Sequence, residues 1–186
     1  MANTHFTDKT RLYVQLRPDT GTLTHLQAMR SEINDGRPVP DSELHMTVIH
    51  IGELSRLIAA LPEINSEEIL QAAERCADEL EQIAASFGNV NFALRPIGLE
   101  TFGKTIAVGY EPSKELNELH RQALLVCMNM LKSVGISDPR IFMQNDPNLR
   151  NALTLHPHVA LSKNASPQEK SIIRHKGLYS LMKVVY

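Results

Sequence analysis

Residues 154–162, TLHPHVALS, alternate without a break between two kinds of side chain. Thr154, His156, His158, Ala160 and Ser162 fall on one side, and Leu155, Pro157, Val159 and Leu161 on the other. Successive side chains of a β-strand point to opposite faces, so this stretch predicts a strand with one apolar face and one polar face that carries two histidines. An earlier stretch, SELHMTVIHIG at 42–52, is of the same kind. Regular alternation there sets His45, Thr47 and Ile49 on one face and Leu44, Met46, Val48 and His50 on the other, which turns His50 away from His45.

The other elements follow from periodicity and punctuation. Leu12, Val14 and Leu16 alternate with Arg11, Tyr13, Gln15 and Arg17 in a half-buried strand that ends at Pro18. Leu23, Leu26, Met29 and Ile33 recur at helical spacing over 22–34, and NDGRPVP makes a loop into the first histidine strand at 43–51. A loop follows it. Ser66, Glu67 and Glu68 start a helix with Ile69, Ala73, Cys76, Leu80, Ile83 and Phe87 inward and Gly88 as its stop. VNFALRPIGLETF and KTIAVGYE read as strands joined by a turn at FGK. Ser113 caps a helix that buries Leu116, Leu119, Ala123, Cys127, Met130 and Val134, with Gly135 at its end. SDPRIFMQNDPNLRN reads as a turn-rich, partly irregular loop, 167–176 as a short helix and YSLMKVVY as a closing strand.

No Gly/Ser-rich linker divides these elements, so the expectation is a single α+β domain spanning 1–186, with residues 1–9 a flexible N-terminus. Each half runs strand, helix, histidine strand, which suggests a two-lobed, pseudo-symmetric build. The 186 residues are 42% hydrophobic and 22% charged with a net charge of −2, far from the basic excess that a general nucleic-acid coat protein needs. Cys76 and Cys127 lie among apolar neighbours in helical segments and read as free, buried thiols. The start, MANTHFTDKTR, has no apolar core of a signal peptide, and no apolar run approaches the ~18 residues that cross a bilayer. The expected setting is the cytoplasm.

GRPVPDSELHMTVIHIG resembles the segment of the 2H phosphoesterase superfamily, the 2′,5′ RNA ligase-like proteins, that carries the first His-x-Thr motif. LETFGKTIAVGYEPSKELNELHRQAL resembles the middle of that family, and HPHVALSK stands where the second motif belongs. The resemblance runs from Arg11 onward. It implies a two-lobed fold with antiparallel sheets flanking a central groove and helices outside. It also implies a metal-independent phosphodiesterase that needs no cofactor, in which His45 and His158 are the acid–base pair and Thr47 binds phosphate. The pattern departs at Ala160, where the family has Thr or Ser. Ser162, on the same predicted face, is the candidate to supply the missing hydroxyl.

Two opposed histidines suit this chemistry, because an imidazole with a pKa near 6.5 can serve as base or as acid around neutrality. Which of the two is the base stays open. Tyr13, Gln15 and Arg17 on the first strand, Phe102 at the hairpin, and His156, Lys163 and Arg174 are the candidates to contact substrate. Phe102 or Tyr13 would stack a base. The expected partner is a nucleotide or short RNA, bound by a monomer with no obligate protein partner and no membrane. His5, His25, His120 and His175 are read as structural. Two alternatives stand beside this reading. His45, His156 and His158, with Glu43 or Asp146, could hold zinc. Ala160 could instead mark a degenerate module that binds nucleotides without cleaving them.

Overall fold

The computed structural model describes residues 6–165 and 177–185. In chain order these form β1 (Arg11–Pro18), α1 (Thr20–Glu32), β2 (Arg37–Pro38), β3 (Met46–Glu53), α2 (Leu54–Ala60), α3 (Ser66–Ser86), β4 (Asn91–Phe102), β5 (Thr105–Glu111), α4 (Lys114–Ser133), α5 (Pro139–Asn145), β6 (His158–Lys163) and β7 (Gly177–Val185). The helix expected at 167–176, and with it Arg174 and His175, lies outside the described residues, as does His5. Of the segment 1–9, Phe6 is buried and its N–H donates to Glu74 Oε1 at 2.9 Å, which anchors that part of the expected flexible terminus to α3.

The long amphipathic helices form where their spacing places them. In α3 the buried residues include Ile69, Ala73, Cys76 and Leu80, and in α4 they include Leu116, Leu119, Ala123, Cys127 and Met130. Ser113 Oγ accepts from the Leu116 N–H, and α3, which starts at Ser66 as expected, is capped by Asn65 Oδ1 on the Glu67 N–H. Both caps satisfy a first-turn donor that the helix itself cannot. Gly135 follows α4 at φ 92°, a conformation that favours glycine. Cys76 and Cys127 are free and buried.

Three elements formed in stretches read as loop. α2 forms because Leu54 and Leu57 bury on one side of two short turns. In α5 Asp138 caps through its carboxylate and Pro139 takes the first helical position, where its missing N–H costs nothing. Asp-Pro marks turns and helix starts alike, so the same dipeptide supports either reading. β2 is two residues long and pairs with the end of β6.

All pairings are antiparallel, in the order β2-β6-β3-β1-β7-β4-β5, and β5 also pairs with β6. The two expected sheets are therefore joined into one hydrogen-bonded set that returns on itself. The helices α3 and α4 lie side by side, α3 against β7 and α4 against β3. The join between β6 and β3 is a single rung, Met46 opposite Val159, both fully buried. Past that rung the strands part, and a cleft opens between them.

Candidate active site

Because Met46 and Val159 point into the core, their neighbours on both strands emerge on the opposite face. Continued by one residue on either side, the antiparallel register would set Thr47 opposite His158 and His45, the residue just before β3, opposite Ala160. His45 and His158 would then occupy diagonal corners, positions roughly 7–8 Å apart in an antiparallel pair. All four of these residues are partly exposed.

The two histidines are held in the same way. His45 Nδ1 lies 2.7 Å from the Glu43 carbonyl, and His158 Nδ1 lies 2.7 Å from the His156 carbonyl. A carbonyl only accepts, so each Nδ1–H donates and, in the neutral ring, Nε2 keeps its lone pair. This second contact fixes the tautomer and aims the free nitrogen, as an orienting partner does for an acid–base histidine. Burial pushes the His45 pKa below that of an ordinary histidine. The bond to the Glu43 carbonyl opposes this shift, and the nearby Arg17 and Lys163 add to it.

The cleft beside His158 has a volume of ≈ 390 Å³ and is lined by Thr47, His158, Phe102 and His156 from the sequence candidates, while His45 lies outside its lining. His50 and Asn148 also line it, although neither was a candidate. The placement of His50 corrects the alternation read from the sequence. Opposite β1, Val14 pairs with Ile49 but Gln15 pairs with Thr47, so Val48 is an extra residue in β3. A bulge of this kind shifts the phase of a strand. Ile49 therefore turns into the core at 2% exposure, and His50 comes out to the cleft with its ring edge-on to Tyr13, 6.1 Å between centroids.

A second bulge decides the fate of Ser162. On β6, Ala160 pairs with Ala107 while Ser162 pairs with Ile106, so Leu161 is the extra residue and Ser162 leaves the histidine face. Ser162 is 1% exposed, and its Oγ donates to the Asp35 carbonyl at 2.7 Å. That hydroxyl ties down the turn at Gly36 and is not the replacement donor expected from the sequence. Gly36 has φ 77°, and a Cβ there would come within 2.5 Å of the Lys163 carbonyl, so only glycine fits.

The remaining candidates divide. Gln15 is 2% exposed and pairs with Thr47 in the β1–β3 ladder, buried beside the phosphate-binding candidate and not lining the cleft. Lys163 Nζ lies 3.0 Å from Glu43 Oε2, on the His45 side. Arg17 Nη1 donates to the Ser42 carbonyl at 2.7 Å, and its buried Nε has no hydrogen-bond partner among the described residues. Phe102 lies against the His158 ring. Of the residues read as structural, His120 is buried and donates from Nε2 to the Ala152 carbonyl, 2.9 Å away, which pins the wall of the cleft. Among the described residues no three His, Cys, Asp or Glu side chains converge as a metal site, so the proposed zinc ligands do not come together there. No helix among the described residues is long and apolar enough to cross a membrane.

No protein-family model matches the chain, and no curated protein matches it by sequence. Solved structures do match it. Apo LigT of E. coli aligns over 95% of this chain and 96% of its own, with a TM-score of 0.52 and 18% identity. The Thermus thermophilus protein TT0787 aligns over 94% and 96%, with a TM-score of 0.59 and 15% identity. LigT complexed with 3′-AMP aligns over 94% and 95%, with a TM-score of 0.54 and 16% identity. The chain has the 2H phosphoesterase fold.

Within the 2H phosphoesterase fold, one cleft wall of this chain is built by residues 146–156. Asp146 Oδ1 accepts from the Asn148 and Leu149 N–H groups, and Arg56 Nη1 on α2 donates to Asn148 Oδ1 at 2.9 Å. His120 holds the same wall from α4. Sequence reading missed Asn148 because nothing in DPNLRN distinguishes an exposed amide on a turn from one lining a site.

Proposed function

We propose that this protein is a two-histidine phosphodiesterase acting on nucleotide phosphodiesters, with a 2′,3′-cyclic phosphate or a 2′,5′-linkage as the substrate class. The observation that carries the proposal is the matched pair of Nδ1–carbonyl contacts, which leaves the Nε2 of each ring available, with Thr47 lining the cleft beside His158. In hydrolysis of a cyclic phosphate, one neutral Nε2 takes a proton from water as its oxygen attacks phosphorus. The bond from phosphorus to one ribose oxygen breaks, and the other histidine, protonated, gives its proton to that oxygen. Thr47 donates to a non-bridging oxygen where negative charge builds. LigT forms crystalline complexes with 3′-AMP and with ATP, so this fold binds nucleotides in that protein, which supports a nucleotide as the ligand here.

The test is turnover of a panel of 2′,3′-cyclic nucleotides and 2′,5′-linked dinucleotides in the presence of EDTA. Wild type should turn over at least one of them, and His45→Ala and His158→Ala should each abolish turnover while melting like wild type. Wild-type turnover in either variant would sink the assignment. Binding of nucleotides without any turnover would select the degenerate binding module, for which Ala160 is the motivating feature.

A further inference from the structure

Beyond His158 the cleft changes character. Among the described residues its lining holds no Lys, Arg, Asp or Glu, and its polar groups are imidazoles, hydroxyls and the amides of Asn148 and Asn151. A compartment of this kind suits a neutral heterocycle and offers nothing to neutralise a second phosphate. Asn148 is held in this wall by two hydrogen bonds. Its N–H is capped by Asp146, and its side-chain oxygen is occupied by Arg56. A guanidinium only donates, so the amide cannot flip without losing that bond, and the branch left for a ligand is the Nδ2 donor.

We infer that Asn148, oriented by Arg56, is a specificity determinant that donates from Nδ2 to a carbonyl oxygen of the nucleobase of the substrate. The inference rests on the phosphodiesterase reading for the placement of the phosphate at Thr47 and His158. Uracil and guanine present a carbonyl at the position where cytosine and adenine present an amino group, which is itself a donor. A fixed donor therefore favours the first pair. Because Asn148 is exposed, the discrimination should be about tenfold, well short of the 10⁴–10⁵ of fully enclosed polar sites.

The test measures kcat/KM for the 2′,3′-cyclic phosphates of uridine, guanosine, cytidine and adenosine, and Kd for the four nucleoside 3′-monophosphates. Wild type should favour uridine and guanosine by about tenfold in both measurements. Asn148→Ala should level the four. Asn148→Asp, which replaces the donor by an acceptor still paired with Arg56, should reverse the order. Arg56→Met should blur it by freeing the amide to flip. An order in wild type that survives unchanged in Asn148→Ala and Asn148→Asp would overturn the inference, as would a wild type that does not discriminate. If wild type turns nothing over, the catalytic reading fails while the four Kd values still decide the role of Asn148.

Discussion

Phe102 lies against His158, with ring centroids 4.5 Å apart and planes inclined by 27°. Phe102 is 40% exposed at the tip of the β4–β5 hairpin, where the sequence suggested a platform for a base. One face of its ring is instead given to the imidazole. An offset aromatic contact contributes about 0.5–1.5 kcal/mol, enough to favour one ring orientation by roughly 2- to 10-fold. Phe102→Ala should lower kcat by about that factor, leave KM nearly unchanged and leave the melting temperature unmoved. A raised KM with wild-type kcat would return Phe102 to base stacking.

Continued from the Met46–Val159 rung, the antiparallel register would put position 160 opposite His45, as it would put Thr47 opposite His158. Restoring a hydroxyl there needs no change of backbone, since Thr is at home on a strand. Ala160→Thr should raise kcat on the best substrate, by up to about 10²-fold if the hydroxyl acts as one oxyanion donor does. An unchanged kcat would mean that position 160 does not reach the phosphate.

Stability should fall on mild acidification. Burial lowers the pKa of His45, His50 and His120. Arg17 and Lys163 add to this at His45, Arg11 and Arg56 at His50, and His156 at His120. In the unfolded chain these groups take up a proton near pH 6.5, above their folded values. Their contribution is therefore whole above about pH 6.5 and is lost as pH falls through the folded values. Thermal melts should show a lower midpoint at pH 5.5 than at pH 7.5. His120→Gln, which keeps a donor for the Ala152 carbonyl without titrating, should show a smaller drop. A midpoint equal at the two pH values would contradict this linkage.

The helices and long strands were legible because burial imposes a period on the sequence: Ile69 to Leu80 and Leu116 to Met130 could hardly pack otherwise. The meeting of the two histidine-bearing segments, at Met46 and Val159, was legible through the flanking motifs. The phase of each strand beyond its histidine was not. Val48 and Leu161 look like ordinary members of an alternating run, yet each is the extra residue of a bulge, and each reverses the facing of the residues beyond it. His50 and Ser162 were misplaced for this one reason. Bulges are set by how two strands coil around each other, which a single stretch of residues does not encode.

The lone rung between Met46 and Val159 carries a last consequence. Antiparallel partners are related by a local dyad, and continued from this rung that axis would relate His45 to His158 and Thr47 to position 160. A phosphodiester presented to a site of true dyad symmetry could be read in either direction along its backbone. Ala160 removes one of the two equivalent hydroxyls, so the two directions are no longer equal in energy. On the two-histidine reading, the departure from the motif would give the site a polarity, a defined head and tail for whatever strand or nucleotide enters it.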